Sequence, residues 1–360
     1  MKKSNVAATL LFGAFLFAMA AGYLLLPEKT FSEMEKRYLA EAPSFSLKAL
    51  LSGEWSTGAE DYLTDHVPGR NLFVGINAYT ELLAGRQHLK DVWLAEGKLL
   101  EAPVALDEEA VQRNMAAIRS FAEKINQRVD VMIIPSAGWA AGVEGYTSGD
   151  TLNAIYAEAD SLVTPVPVEE LFAGKPELYY NTDHHWTSKG AYLGYQAYME
   201  AVGREWRREE DFSITTVPGF HGSTYSRSAL WLTPGETLEL WQGSGQLTVT
   251  NGETEEIHKG IFYEERLKEA DKYTVFLDGN HSIVRIRNPQ KSGRLLVIRD
   301  SYSNCLGGFL AESYGEVVLI DLRYYRQPVS ELLRQESFDQ ILICYSCANF
   351  LTDTNLILLR

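Results

Sequence analysis

The sequence predicts an α/β fold: a parallel sheet flanked by helices, with an antiparallel β-rich insertion and an N-terminal membrane span. Three observations carry this. In the C-terminal part, apolar strand-like runs alternate with helical segments, and successive β-α-β units of that length imply parallel strands with right-handed crossovers. From about residue 205 to 290 the pattern changes to short β-prone runs punctuated by Gly, Asn and Pro. Finally, Val6 to Leu26 runs about 21 residues without a charge, enough to cross a bilayer.

The span comes first in the chain. Met1-Lys2-Lys3-Ser4-Asn5 is a short basic lead, and lysines before a single span place the remainder of the chain outside the cytoplasm. Residues 1–27 read as a signal anchor, because the apolar run continues past Ala18-Met19-Ala20 and ends only at Pro27-Glu28-Lys29. Cleavage at that A-x-A-like site is the alternative, and would make the protein secreted.

Residues 28–102 read as a helix-rich juxtamembrane cap. Helices are expected over 45–51, 55–63 and 71–83, with a turn at Asp65-His66-Val67-Pro68-Gly69-Arg70 and a hairpin about Glu96-Gly97. Residues 103–360 form the α/β domain. Asp107 to Ile125 is an amphipathic helix with acids in its first turn, and 129–134 is a buried strand. Helices come next over 150–162 and 168–172, then a strand over 177–180. Thr187 caps a helix over 188–202. In the insertion, strands are expected at 215–217, 237–241, 246–250, 273–277 and 282–287, with a hairpin turn at Asn251-Gly252. Strands at 293–299, 316–320 and 340–344 then alternate with helices at 303–314 and 328–335.

Composition narrows the function. With 360 residues and a formal charge of −15, no basic surplus exists to displace counterions from nucleic acid. Three cysteines, Cys305, Cys344 and Cys347, do not make a disulfide framework. The Cys344-x-x-Cys347 pair closes an apolar strand and reads as buried free thiols. No cofactor motif and no complete metal-ligand pattern is found; His184 and His185 are adjacent and point apart, so Asp183-His184-His185 lacks further ligands.

The densest chemistry is Asn181-Thr182-Asp183-His184-His185-Trp186-Thr187-Ser188. Residues two apart in an extended segment face the same way, so Asp183 can orient His185 as the acid of a Ser-His-Asp triad does. A nucleophile stands much later, in Val297-Ile298-Arg299-Asp300-Ser301-Tyr302-Ser303. There a buried strand turns directly into a helix. Ser301 sits at the carboxyl end of a parallel strand and near helical N–H groups able to steady an oxyanion. An N-cap role is the bland alternative for this serine.

Asp183-His184-His185-Trp186 is the signature of the DHHW family. With the Asp-Ser-Tyr-Ser turn, the chain resembles the SGNH-hydrolase-like domains of alginate-type polysaccharide O-acetyltransferases. Phe31 to Arg37 and Asp61 to Arg70 resemble the juxtamembrane part of that group. The resemblance implies Ser301 as nucleophile, His185 as general base and Asp183 as orienting acid. It implies acetyl transfer to a cell-surface or secreted polysaccharide, with a multi-span membrane acyltransferase as partner supplying the acyl donor. A carbohydrate esterase and a non-catalytic glycan-binding or envelope assembly factor are the alternatives. Arg299 stands where such enzymes carry glycine. Asn280 is the candidate oxyanion donor, against a plain turn role for Gly279-Asn280. Trp186, Tyr302 and Arg323 are candidate substrate contacts, against core packing for Trp186 and a polar loop for Arg323.

Overall fold

The computed structural model describes residues 3–243, 245–252, 254 and 256–359. Met1 and Lys2 of the basic lead, Ser244, Glu253 and Glu255 of the insertion, and Arg360 lie outside the described residues. The chain divides into two compact units, Met1–Leu89 with Ser226–Thr233, and Lys90–Tyr225 with Pro234–Arg360.

The first unit begins with α1 (Lys3–Leu25). Its stretch Asn5–Leu25 has a mean hydropathy of 2.0 and buries nothing in its most apolar part, so it is long and apolar enough to cross a membrane. Three short helices come after it, α2 (Leu47–Ser52), α3 (Glu54–Asp65) and α4 (Arg70–Leu83). Ser46 caps α2, and Gly53 and Gly69 take the left-handed conformation at the joints.

The second unit is built on one mixed sheet. Its strands are β1 (Val129–Ile134), β2 (Val163–Pro165), β3 (Thr248–Asn251), β4 (His258–Lys259), β5 (Ile283–Arg287), β6 (Arg294–Arg299), β7 (Glu316–Ile320) and β8 (Gln340–Ser346). The order is β4-β3-β5-β7-β6-β8-β1-β2. The run from β7 to β2 is parallel, and β5, β3 and β4 add antiparallel to its β7 edge. Successive residues face opposite sides. Leu295 and Val297 of β6 pack with Trp186, Tyr195 and Phe309, while Leu296 and Ile298 pack with Met115, Phe121 and Phe350. Burial on both faces is why these strands read as unbroken apolar runs.

Helices cover both faces. α5 (Glu108–Ile125) is capped by Asp107, which accepts the Ala110 N–H at 3.0 Å, and it buries Val111, Met115, Ile118 and Ala122. α6 (Ser188–Ala201) is capped by Thr187. A Cβ at Gly190 would stand 2.6 Å from the Leu178 carbonyl oxygen, so glycine is what lets α6 sit this close. α7 (Ser303–Leu310) comes directly after β6, and α8 (Cys347–Thr352) directly after β8.

The β-rich insertion is antiparallel, as expected: β3, β4 and β5 extend the main sheet, and Ser213–Phe220 pairs with Glu236–Gln242 apart from it. Three expectations need correction. The strand expected at 177–180 is a 3-10 turn, Pro176–Leu178, with Tyr179 and Trp186 meeting in an isolated bridge; Pro176 fixes φ at its first position. The strand expected at 273–277 is likewise a 3-10 turn, Lys272–Val275. Asn251-Gly252 is not a two-residue hairpin turn, since Thr248 pairs with Lys259; the Asn251 side chain instead donates to the Leu277 carbonyl at 3.1 Å. The three cysteines are free and buried.

Candidate active site

The Asp183–Trp186 segment is a tight loop closed at its base by the Tyr179–Trp186 bridge and by the Tyr180 N–H donating to the His185 carbonyl at 3.2 Å. Two charged side chains hold it. Glu236 accepts the N–H groups of Asn181 and Thr182 at 2.7 and 2.8 Å. Lys98 Nζ donates to the Tyr179 carbonyl at 2.9 Å and to Asn181 Oδ1 at 2.7 Å. Burial pushes the Lys98 ammonium down from its ordinary range.

Within the loop, Asp183 Oδ1 accepts the main-chain N–H of His185 at 2.9 Å and faces His185 Nδ1 at 2.5 Å. Its Oδ2 accepts the Ser223 N–H at 2.6 Å. Gly222 makes this approach possible, because a Cβ there would lie 2.1 Å from the Asp183 Cβ. Burial opposes the charge on Asp183, but His185, His184 and the Ser223 amide outweigh it and hold the carboxyl well below its ordinary range. With Nδ1 engaged by the carboxylate, the tautomer with the proton on Nδ1 is favoured and Nε2 is left as acceptor.

Ser301 lies at the carboxyl end of β6, where the strand turns into α7, and is 8% exposed. His185 Nε2 stands 2.8 Å from its Oγ. The turn is pinned by buried Asp300, whose Oδ1 accepts the Tyr302 N–H at 3.0 Å and whose Oδ2 accepts from the Ser346 N–H and Asn349 Nδ2, both at 2.8 Å. Arg299 has no exposed surface. One of its nitrogens, Nη1, donates to Asn304 Oδ1 at 2.6 Å and to Asn280 Oδ1 at 3.2 Å. A guanidinium thus braces the turn at the position where the sequence resemblance leads one to expect glycine.

Asn280 comes after three consecutive left-handed residues, Leu277, Asp278 and Gly279, with φ of 56, 63 and 82°. Left-handed backbone at two non-glycine positions costs energy and concentrates at functional sites. Asn304 Nδ2 also donates to Asn280 Oδ1, at 3.0 Å, so two side chains hold the Asn280 side-chain oxygen and fix which way its amide is turned.

The other candidates fall differently. Trp186 is wholly buried, donates to the Tyr302 carbonyl at 3.0 Å, and offers no surface to a sugar. Tyr302 is buried and donates its hydroxyl to the His184 carbonyl, so it fastens the loop to the turn that holds Ser301. Arg323 turns back on Asp321, with Nε at 2.9 Å from Oδ1 and Nη2 at 2.6 Å from Oδ2. Asp183, His184 and His185 bring potential ligand atoms within 4.8 Å of one another, yet those atoms face protein partners: His184 Nδ1 meets Ser223 Oγ at 2.7 Å.

Sequence reasoning missed Tyr273. Its ring stacks on His185 with centroids 3.9 Å apart and 9° between planes. It missed Gly222, Glu236 and Lys98 as well. All four reach the loop from segments remote in sequence, and no local spacing announces them.

Asp183, His185 and Ser301 all fall in one recognisable stretch. Residues 151–320 match the DHHW protein family. A DHHW family protein from Eubacterium siraeum has a similar structure, with a TM-score of 0.65 at 22% identity over 74% of this chain and 93% of its own. Bacillus cereus PatB1 with a sulfonyl adduct gives 0.64 at 22% identity, over 75% and 98%. The O-acetyltransferase domain of Pseudomonas putida AlgJ gives 0.43 at 16% identity, over 73% and 92%. The first two likenesses, DHHW protein and PatB1, show a shared fold. No curated protein matches the chain.

Proposed function

We propose that this protein is an extracytoplasmic, membrane-anchored serine enzyme that transfers an acetyl group to a polysaccharide hydroxyl. The observation that carries the reading is the continuous hydrogen-bonded chain from Asp183 through His185 to Ser301 Oγ. A serine bonded to an imidazole whose far nitrogen is bonded to a buried carboxylate is the arrangement of an activated nucleophile.

Ser301 Oγ attacks the acetyl carbonyl while His185 Nε2 takes its proton. The tetrahedral oxyanion is met by the Asn280 side-chain amide. Collapse breaks the bond to the donor's leaving oxygen, which departs with the proton from His185 and leaves acetyl-Ser301. A sugar hydroxyl then gives its proton to His185 and attacks the ester, releasing Ser301 and the acetylated glycan. Asp183 holds the imidazole and stabilises it when charged.

Transfer rather than hydrolysis is supported by the DHHW likeness and by the resemblance to polysaccharide acetyltransferases. Water as acceptor would make the same residues an esterase. The non-catalytic reading needs His185 out of reach of Ser301, and their 2.8 Å separation works against it. The apolar α1 supports an anchor, and a multi-span acyltransferase would supply the donor through the membrane. Incubating the protein with para-nitrophenyl acetate and candidate oligosaccharides tests the proposal. Acetylated sugar formed faster than free acetate supports transfer; free acetate alone at every acceptor concentration overturns it in favour of an esterase.

A further inference from the structure

The C-terminal end of α1 is fastened to the turn between α3 and α4. The Tyr23 hydroxyl donates to the Leu63 carbonyl at 2.6 Å. Gly22 lies so close to Pro68 that a Cβ would stand 2.7 Å from its Cγ. The same turn is locked from the other side by ion pairs. Arg37 donates to Asp65 through Nη1 and Nη2, at 2.8 and 2.5 Å, and through Nε to Glu35 at 2.7 Å, while Arg70 Nη1 meets Glu35 at 2.5 Å. These pairs join the two juxtamembrane motifs into one clasp at the end of the span.

Beyond this clasp, α4 has two unlike faces. On one, Gly75 is pressed against Trp231, whose indole N–H donates to the Asn71 carbonyl at 2.9 Å, and Ala78 is buried. On the other, Leu72, Ile76 and Leu83 fall within about 40° of one another at 100° per residue. They are 64, 53 and 90% exposed, with Phe73 at 42% and Leu63 of α3 at 52%. Small residues inside and large apolar ones outside is the reverse of a water-facing helix. Leu72 also lines, with Leu26, Pro27, Val67 and Pro68, a cavity of about 810 Å³ at the junction with the span.

We propose that α3 and α4 form an interfacial foot, lying in the headgroup zone of the bilayer that α1 crosses, with Leu63, Leu72, Phe73, Ile76 and Leu83 immersed at the acyl-chain boundary. This rests on the reading of α1 as a membrane anchor. A helix of 21 residues spans about 31 Å, close to the hydrocarbon thickness. Gly22 and Tyr23, near its end, therefore stand at the membrane–water boundary, where tyrosine is favoured, and whatever is fastened to them shares that depth. The bilayer is the occupant chosen because the span ends at Leu25, directly before Leu26, and Leu26 and Leu72 line one cavity.

The test uses the full chain reconstituted in phosphatidylcholine–phosphatidylglycerol vesicles, with Leu72→Cys, Ile76→Cys or Leu83→Cys carrying an environment-sensitive fluorophore. Glu123→Cys, on the exposed side of α5, is the water-facing control, and the three native cysteines are buried. The protein is expected to float with the vesicles, and the α4 labels to be quenched several-fold more by lipid spin-labelled near the headgroup than the Glu123 label. A chain that floats but whose α4 labels are quenched by iodide like the control overturns the foot while leaving the anchor standing. Labels shielded from both quenchers overturn it in favour of a contact between protein copies. A chain that does not float overturns the anchor, and the foot with it.

Discussion

His185 Nε2 lies 2.8 Å from Ser301 Oγ across 116 residues of chain, while the Nδ1 of the same ring is held 2.5 Å from Asp183 Oδ1. The second contact is local and the first is topological: β6 delivers the serine, and the loop before α6 delivers the histidine. Each can be broken separately.

Asp183→Asn keeps the shape of the side chain but presents an amide where His185 needs a carboxylate, favouring the wrong tautomer. Turnover is expected to fall about 10⁴-fold with KM little changed. Steady-state kinetics on an activated acetyl ester checks this, with a circular-dichroism spectrum to confirm folding.

The same carboxyl makes stability depend on pH. Asp183 is held below its ordinary range in the fold, so the unfolded chain binds its proton more readily. Its contribution is fully present above the unfolded carboxylate value, about pH 4, and is lost as pH falls below that through the folded value. Thermal melts over this acid range are expected to drop more steeply for the wild type than for Asp183→Asn.

Tyr273 stacks on the imidazole face, and its buried hydroxyl has no hydrogen-bond partner among the described residues. Tyr273→Phe is therefore expected to be near wild type. Tyr273→Leu removes the aromatic face and is expected to lower turnover about fivefold, for an interaction worth roughly 1 kcal/mol, without raising KM. Comparing kcat and KM for the two variants checks this.

Gly222→Ala places a methyl group 2.1 Å from the Asp183 Cβ. Overpacking at a fixed loop is expected to cost about 3 kcal/mol or more and to abolish activity together with stability. Denaturant unfolding of the variant measures it.

Asn280→Ala tests the oxyanion assignment. Removing such a donor lowers turnover about 10²- to 10³-fold. The effect is expected in kcat, and Arg299→Met, which unties the brace on Asn280 and Asn304, is expected to show a smaller loss in the same direction.

The parts of the site legible in the sequence were those that local geometry dictates. Asp183 and His185 stand two apart, and Ser301 ends an apolar strand ahead of a helix, so spacing and period sufficed. The parallel core was legible because strands buried on both faces leave unbroken apolar runs. Tyr273, Gly222, Glu236 and Lys98 were not, because each acts through a contact that only the finished fold creates. Arg299 read only as a departure from the glycine expected there, and its guanidinium ties β6 to Asn304 and Asn280. The strands expected at 177–180 and 273–277 failed for a related reason: their β-prone residues are buried in 3-10 turns beside the site, where packing overrides propensity. The position of Asn280 depends on the left-handed backbone of Leu277 and Asp278, which no propensity forecasts.

Ser301 as the carrier of the acyl group is the centre of the proposed chemistry, and intact-protein mass spectrometry after incubation with para-nitrophenyl acetate tests it most directly. A single added acetyl is expected, mapped to the peptide holding Ser301, absent from Ser301→Ala and strongly reduced in His185→Ala. An acetyl that persists in Ser301→Ala, or a wild-type protein that is never acetylated across a range of activated esters, would contradict it.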